Sequence, residues 1–95
     1  MRVKPVGEFV FKKDGQRYQI AASALVQGSP QKQAVGFGGE SEDWSVTFTA
    51  DSDCGDFEWY VTYTLGNEGG DVNDSDLVKR PAGVEVIKHV SFKPA

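Results

Sequence analysis

The sequence predicts a single all-β domain over residues 1–95, a small antiparallel β-sandwich or partly open barrel of five or six strands in mostly up-and-down order. Apolar and polar residues alternate with a period of two over most of the chain, as in half-buried strands. Asp14-Gly15 is a strong signal for a tight β-hairpin. The 95 residues are enough for one hydrophobic core but not for two. A single open sheet, its aromatic face buried by dimerisation, is the alternative architecture.

The first predicted strands, 6–13 and 16–27, flank Asp14-Gly15 and form a hairpin. Residues 32–37 are expected to form a short edge strand. A second hairpin follows from the clearest alternation in the chain, over 44–50 and 57–65, with a turn-rich connector between the two runs. Its inward side chains are predicted to form the core, and they are Trp44, Phe48, Phe57, Trp59 and Tyr63.

The last third of the chain contains the only plausible helical element, at most one short turn near 75–80. Asp74 or Ser75 would cap this turn and Pro81 would end it. A final strand is predicted beyond it, because four apolar residues share one face and only Lys88 interrupts them. These residues are Val84, Val86, Val90 and Phe92.

Composition excludes several classes of protein. No apolar run approaches the roughly 18–20 residues of a membrane helix, and no apolar segment near the N-terminus is typical of a secretory signal. Cys54 is the only cysteine, so an internal disulfide is excluded. We therefore expect a cytoplasmic protein that does not interact with membranes.

Charge is distributed very unevenly. Residues 33–78 contain no lysine, arginine or histidine but eleven acidic residues, whereas the formal net charge of the whole chain is only −4. Such a segment must stay solvated or be neutralised by a cation or a basic partner. Nucleic acid is not expected to bind, because phosphate recognition relies on a basic patch.

If 44–50 and 57–65 pair as a hairpin, the segments 38–43 and 66–76 leave the sheet at the same end. The acidic side chains of these segments would then form one rim that could bind a basic surface on another protein, with Tyr60 and Phe37 as anchors. The predicted partner-binding residues are Glu40, Glu42, Asp43, Tyr60, Glu68, Asp71, Asp74 and Asp76. A non-enzymatic binding protein of this kind is the preferred hypothesis. A homodimer through an edge strand or a sheet face is a further option.

A calcium-stabilised β domain is the second hypothesis, since oxygen-rich loops suit Ca²⁺. Its predicted ligands are Asp71, Asn73, Asp74 and Asp76, and no other cofactor is expected. The segment imitates the start of an EF-hand loop. The imitation fails at the sixth position, where Asp76 replaces glycine, and at the twelfth, where Ala82 replaces glutamate. A solvated acidic loop is the simpler alternative.

An enzyme that uses Cys54 or His89 ranks lowest. Asp53 and Asp56 flank the cysteine and would disfavour its thiolate, and the alternation directs His89 away from Val86 and Val90, towards solvent. We therefore predict no catalytic residues.

Overall fold

The computed structural model describes residues 3–35, 41–66, 71–73 and 75–95, with only the backbone described for Ala34, Val35, Ser41 and Asp76. These residues form ten strands in three antiparallel sheets, which confirms the all-β prediction. The strands are β1 (Val3–Val6), β2 (Glu8–Lys13), β3 (Gln16–Ala21), β4 (Val26–Gln27), β5 (Gln31–Val35), β6 (Ser41–Ser52), β7 (Gly55–Gly66), β8 (Asp76–Lys79), β9 (Val84–Lys88) and β10 (Ser91–Pro94). No helix among the described residues is long and apolar enough to span a membrane.

The larger layer is built on the β6–β7 hairpin. Its twelve-residue strands pair without interruption, from Ser41 opposite Gly66 to Ser52 opposite Gly55. Strands β4 and β5 pair with one side of this hairpin, and β8 pairs with the other. The predicted hairpin is therefore confirmed. It is longer than expected, because only two residues remain in its turn.

The second layer brings the two ends of the chain together. Strand β2 pairs with β3 and β9, while β1 pairs with β10. Val6 lies opposite Ser91 and Phe11 lies opposite Val86, so the same five-residue step separates the two pairs on both strands. Between these two pairs the register shifts by one residue at Val10, which lies opposite Lys88, and the pairing breaks where Gly7 adopts a φ of 89°. The two sheets of this layer are two parts of one bent ribbon.

Aromatic rings join the two layers. Phe9 of β2 is fully buried, and its ring centroid lies 5.0 Å from that of Phe57 and 5.2 Å from that of Trp59. At the other end of the ribbon, Phe92 lies 5.0 Å from Phe48. Four of the five predicted core residues are buried, namely Phe48, Phe57, Trp59 and Tyr63, and Trp44 is half-buried against them.

Three local predictions are wrong. The expected helical turn at 75–80 is strand β8, in which Leu77 lies opposite Trp59 and packs against the core. The expected strand 16–27 is divided by a 3-10 turn over Ala22–Ala24, and the expected strand 84–92 is interrupted between Lys88 and Ser91. In each case, packing against the other layer determines the backbone conformation more strongly than local preference does.

Candidate functional site

The β4–β8 sheet has an outer face, opposite to the core. The core residues of β6 are even-numbered and those of β7 are odd-numbered, and both sets face inward; the odd-numbered residues of β6 and the even-numbered residues of β7 therefore face outward. The outward residues form rows across the strands, because opposite residues of paired strands share a face. From one end to the other, the rows are Asp51–Asp56, Val26–Thr49–Glu58–Lys79, Thr47–Tyr60, Ser45–Thr62–Asn73 and Asp43–Thr64–Asp71. We call this surface the outer face.

The centre of the outer face is occupied by threonines and one aromatic ring. Tyr60 is 39% exposed, and Val26, in the neighbouring row, is 64% exposed. Ser45 is the exception on this surface because it is buried, and it accepts a hydrogen bond from Gln33 Nε2 at 2.7 Å. The apolar side chains that this part of the outer face exposes are therefore those of Tyr60 and Val26.

Acidic residues lie at both ends of the outer face. Asp43 and Asp71 lie in the same row, two strands or about 10 Å apart. Asp51, Asp56 and Glu58 lie towards the opposite end, about 20–26 Å away along β7. The described residues of this face include one basic side chain, Lys79, opposite Glu58.

The structure redistributes the predicted acidic rim. Asp43 and Asp71 are brought together on the outer face, but Glu42 has the opposite parity. Its carboxylate accepts a hydrogen bond from Trp44 Nε1 at 3.0 Å and pairs with Lys32 Nζ at 3.2 Å. The Trp44 hydrogen bond, with a smaller contribution from Lys32, lowers the pKa of Glu42 below its usual range. Glu42 is therefore already partnered.

Other predicted residues lie outside the described parts of the chain, namely Phe37, Glu40, Glu68 and Asp74. The backbone of Asp76 lies opposite Tyr60, and its side chain is not described. Sequence reasoning missed Asp51, Asp56 and Val26 as members of the outer face. The parity of Asp51 and Asp56 continues that of the two strands, and this signal could have identified them.

Residues 71–73 form an extended segment at the edge of β7. Thr64 N–H donates to the Asp71 carbonyl at 2.8 Å, and Asn73 N–H donates to the Thr62 carbonyl at 2.9 Å. Asn73 Nδ2 also donates to Thr62 Oγ1 at 3.3 Å. Among the described residues, no three His, Cys, Asp or Glu side chains come together as a metal site. Two of the four predicted calcium ligands have undescribed side chains, so that site stays a prediction.

Cys54 and His89 have separate surroundings. Cys54 lies in the β6–β7 turn, where its N–H donates to Ser52 Oγ at 3.1 Å. A hydrogen bond with Cys54 raises the pKa of Tyr18, and burial raises it further. His89 is exposed, as predicted, and its ring lies 6.1 Å from that of Phe9.

A cleft of about 670 Å³ opens between one edge of the larger layer, formed by residues 71–73 and 75–77, and residues 89–94 of the second layer. Its apolar lining includes Trp59, Val72, Leu77 and Phe92, and its charged or titratable lining residues are Asp71, His89 and Lys93. A concave site with an apolar floor and a few polar groups suits a bound ligand. The sequence carried no local signal for this cleft, because its two walls come from segments that are distant in the chain.

Comparisons with protein-family models, with curated proteins and with solved structures found no match to this chain.

Proposed function

We propose that the protein is a non-enzymatic binding module whose outer face binds a basic surface on another protein. The observation that carries this proposal is the composition of that face. Among its described residues, five acidic residues and one lysine lie in the rows on either side of the exposed ring of Tyr60. The acidic residues are Asp43, Asp51, Asp56, Glu58 and Asp71.

Charge and anchoring would have different roles in such an interface. Acidic groups at both ends of the face would accelerate the encounter with a positively charged partner and fix its orientation. Affinity would come mainly from Tyr60, since tyrosine is enriched among the residues that contribute most to binding. Val26, one row away, adds apolar area to the same contact.

The calcium-binding alternative finds less support at 71–73. The backbone of this segment is extended and hydrogen-bonded to β7, whereas an EF-hand loop wraps around its ion. The enzyme alternative gains no support either, because Cys54 and His89 lie in different surroundings. His89 lines the cleft, whereas Cys54 contacts Tyr18.

The test compares two charge-reversal variants that change the net charge equally. The first is Asp43→Lys with Asp56→Lys, on the outer face. The control is Asp53→Lys with Glu85→Lys, since Glu85 belongs to the second layer and Asp53 lies close enough to Tyr18 to influence it electrostatically. Each protein is immobilised and used to capture proteins from a cell lysate at low and at high salt, with quantification by mass spectrometry.

If the proposal is correct, the wild type and the control should retain basic proteins at low salt, and the outer-face variant should lose them. High salt should release these proteins. Tyr60→Ala should weaken retention of the same proteins by at least about thirtyfold, because a residue of this kind contributes roughly 2 kcal/mol or more. Equal capture by the two charge variants would refute the proposal, and so would retained proteins that are not basic.

A further inference from the structure

The edge of the larger layer has free backbone groups where it borders the cleft. Tyr63 and Val72 form an antiparallel bridge, and the two hydrogen bonds around it join Thr64 with Asp71 and Thr62 with Asn73. In this pattern, Tyr63 and Val72 are a non-hydrogen-bonded pair. The N–H and C=O of Val72 therefore point away from β7. Within the described residues, neither group has a backbone partner.

The cleft supplies an apolar surface beside this edge. Val72 and Leu77 are half-buried against the core, and they line the cleft together with Trp59 and Phe92. Residues 71–73 span about 10 Å when extended, so an added strand would pair with this edge over about three residues.

The pleat of the sheet determines what such a strand should contain. Its residue opposite Val72 would face the apolar floor. Its residues opposite Asp71 and Asn73 would lie on the outer face, where Asp71 is exposed. Basic side chains are favoured there, because the charged residues described in the row of Asp71 are Asp43 and Asp71, both acidic. The cleft thus suits alternating apolar and basic residues.

We propose that the cleft binds an extended segment of a partner protein, with alternating apolar and basic residues, as an additional strand on the edge formed by residues 71–73. Main-chain hydrogen bonds to Val72 provide the pairing, and the apolar floor selects every second side chain. This inference rests on the proposed function for the basic character of the partner. It adds the cleft and the edge as the place where the segment binds.

The probe is the synthetic peptide acetyl-Lys-Val-Lys-Val-Lys-Val-Lys-amide, titrated into the wild-type protein and followed by NMR. Peptide at about ten times its Kd should slow amide hydrogen exchange at Val72 about tenfold, because only about one tenth of the protein stays free. The same peptide with glutamate in place of lysine should bind at least about tenfold more weakly.

Two variants at the edge test the pairing directly. Val72→Pro removes the N–H that the added strand requires, and it spares the bonds to β7, since those use Thr64 and Asn73. It should weaken peptide binding about fivefold to tenfold. Val72→Thr keeps the N–H and the branched shape, so it should weaken peptide binding less than Val72→Pro does. If Val72→Pro does not fold, Asp71→Lys replaces it and should also weaken binding.

Three outcomes would overturn the inference. The first is no binding at 1 mM peptide, a concentration that even a weak site with Kd of about 1 mM would register. The second is binding that leaves exchange at Val72 unchanged and shifts resonances around Tyr60 instead; the outer face would then bind by itself and the proposed function would stand. The third is a concentration-dependent dimer, detected by sedimentation and lost in Val72→Pro, which would assign the edge to a second copy of the chain. Failure of the proposed function is recognised separately, by equal capture with the two charge variants.

Discussion

Substitution of Gly55 by alanine should destabilise the protein strongly, through two separable effects. Gly55 begins β7 with a φ of 125°, a conformation that residues with a side chain rarely adopt. A Cβ at this position would also lie 2.9 Å from Pro81 Cγ and 3.3 Å from Pro81 Cβ. The backbone strain costs about 1–3 kcal/mol, and forcing an extra carbon against the half-buried Pro81 ring costs about 1 kcal/mol, the lower end of the range for overpacking. We expect a total loss of about 2–4 kcal/mol.

Urea unfolding of four proteins would measure this loss and divide it between its two causes. They are the wild type, Gly55→Ala, Pro81→Ala and the double variant. Pro81→Ala removes the Cγ atom at 2.9 Å, so Gly55→Ala should cost about 1 kcal/mol less in that background. Gly15→Ala is the control for the backbone alone, because its φ is 77° and nothing lies within 4 Å of its added Cβ.

Two results would contradict this prediction. Gly55→Ala could lower the free energy of unfolding no more than Gly15→Ala does, or its effect could be the same with and without the Pro81 ring. Either result would mean that the β6–β7 turn does not pack against Pro81. The expected loss corresponds to a decrease in Tm of roughly 10–25 °C for a domain of this size. A mesophilic domain would still fold at low temperature, so the measurement is feasible.

Four further predictions concern the core, the ion pair, the metal alternative and the outer face. Phe9→Ala should cost about 3–5 kcal/mol in urea unfolding, and a loss under 1 kcal/mol would show that the layers do not meet at this ring. The lowered pKa of Glu42 means that its contacts stabilise the fold above the unfolded pKa of about 4.3, and that this stabilisation is lost as pH falls through the folded pKa. The stability advantage of the wild type over Glu42→Gln should therefore shrink between about pH 5 and pH 3, and a constant advantage would contradict the assigned contacts. Replacing EDTA by about 2 mM Ca²⁺ should leave Tm unchanged, and a rise of roughly 10 °C or more would restore the calcium hypothesis. Asp56→Lys should raise Tm slightly, because it converts the Asp51–Asp56 pair into one of opposite charge; an unchanged or lower Tm would contradict that pairing.

The parts of the fold that were predictable from the sequence are the local ones. Alternation along 44–50 and 57–65 identified the central hairpin and its buried face. The predicted ends were too short, because Asp51, Ser52 and Asp56 have the composition of a turn although they continue the pairing. Pairing of β1 with β10 could not be predicted. The two strands lie about 90 residues apart, and no local pattern records such a contact.

The error at β8 has a different origin. The sequence of residues 75–80 combines a residue type that caps helices with a proline that ends them. Six residues are too few for hydrophobic periodicity to distinguish a helix from a strand. Leu77 settles the outcome, since it completes the floor beside Trp59 when the segment is extended. The same pairing creates the edge that borders the cleft, so this error also concealed the candidate binding edge.

Binding of a basic partner, as proposed, would account for the distribution of charge on the outer face. Asp51 and Asp56 lie directly opposite each other, an arrangement that destabilises an isolated sheet. Glu42, by contrast, has partners that neutralise its carboxylate, because both Lys32 and Trp44 contact it. The acids of the outer face have one lysine among them in the described residues. A protein that tolerates a local conflict with stability at one surface is expected to use that surface. A basic partner would relieve the Asp51–Asp56 repulsion, and this relief would add to its affinity.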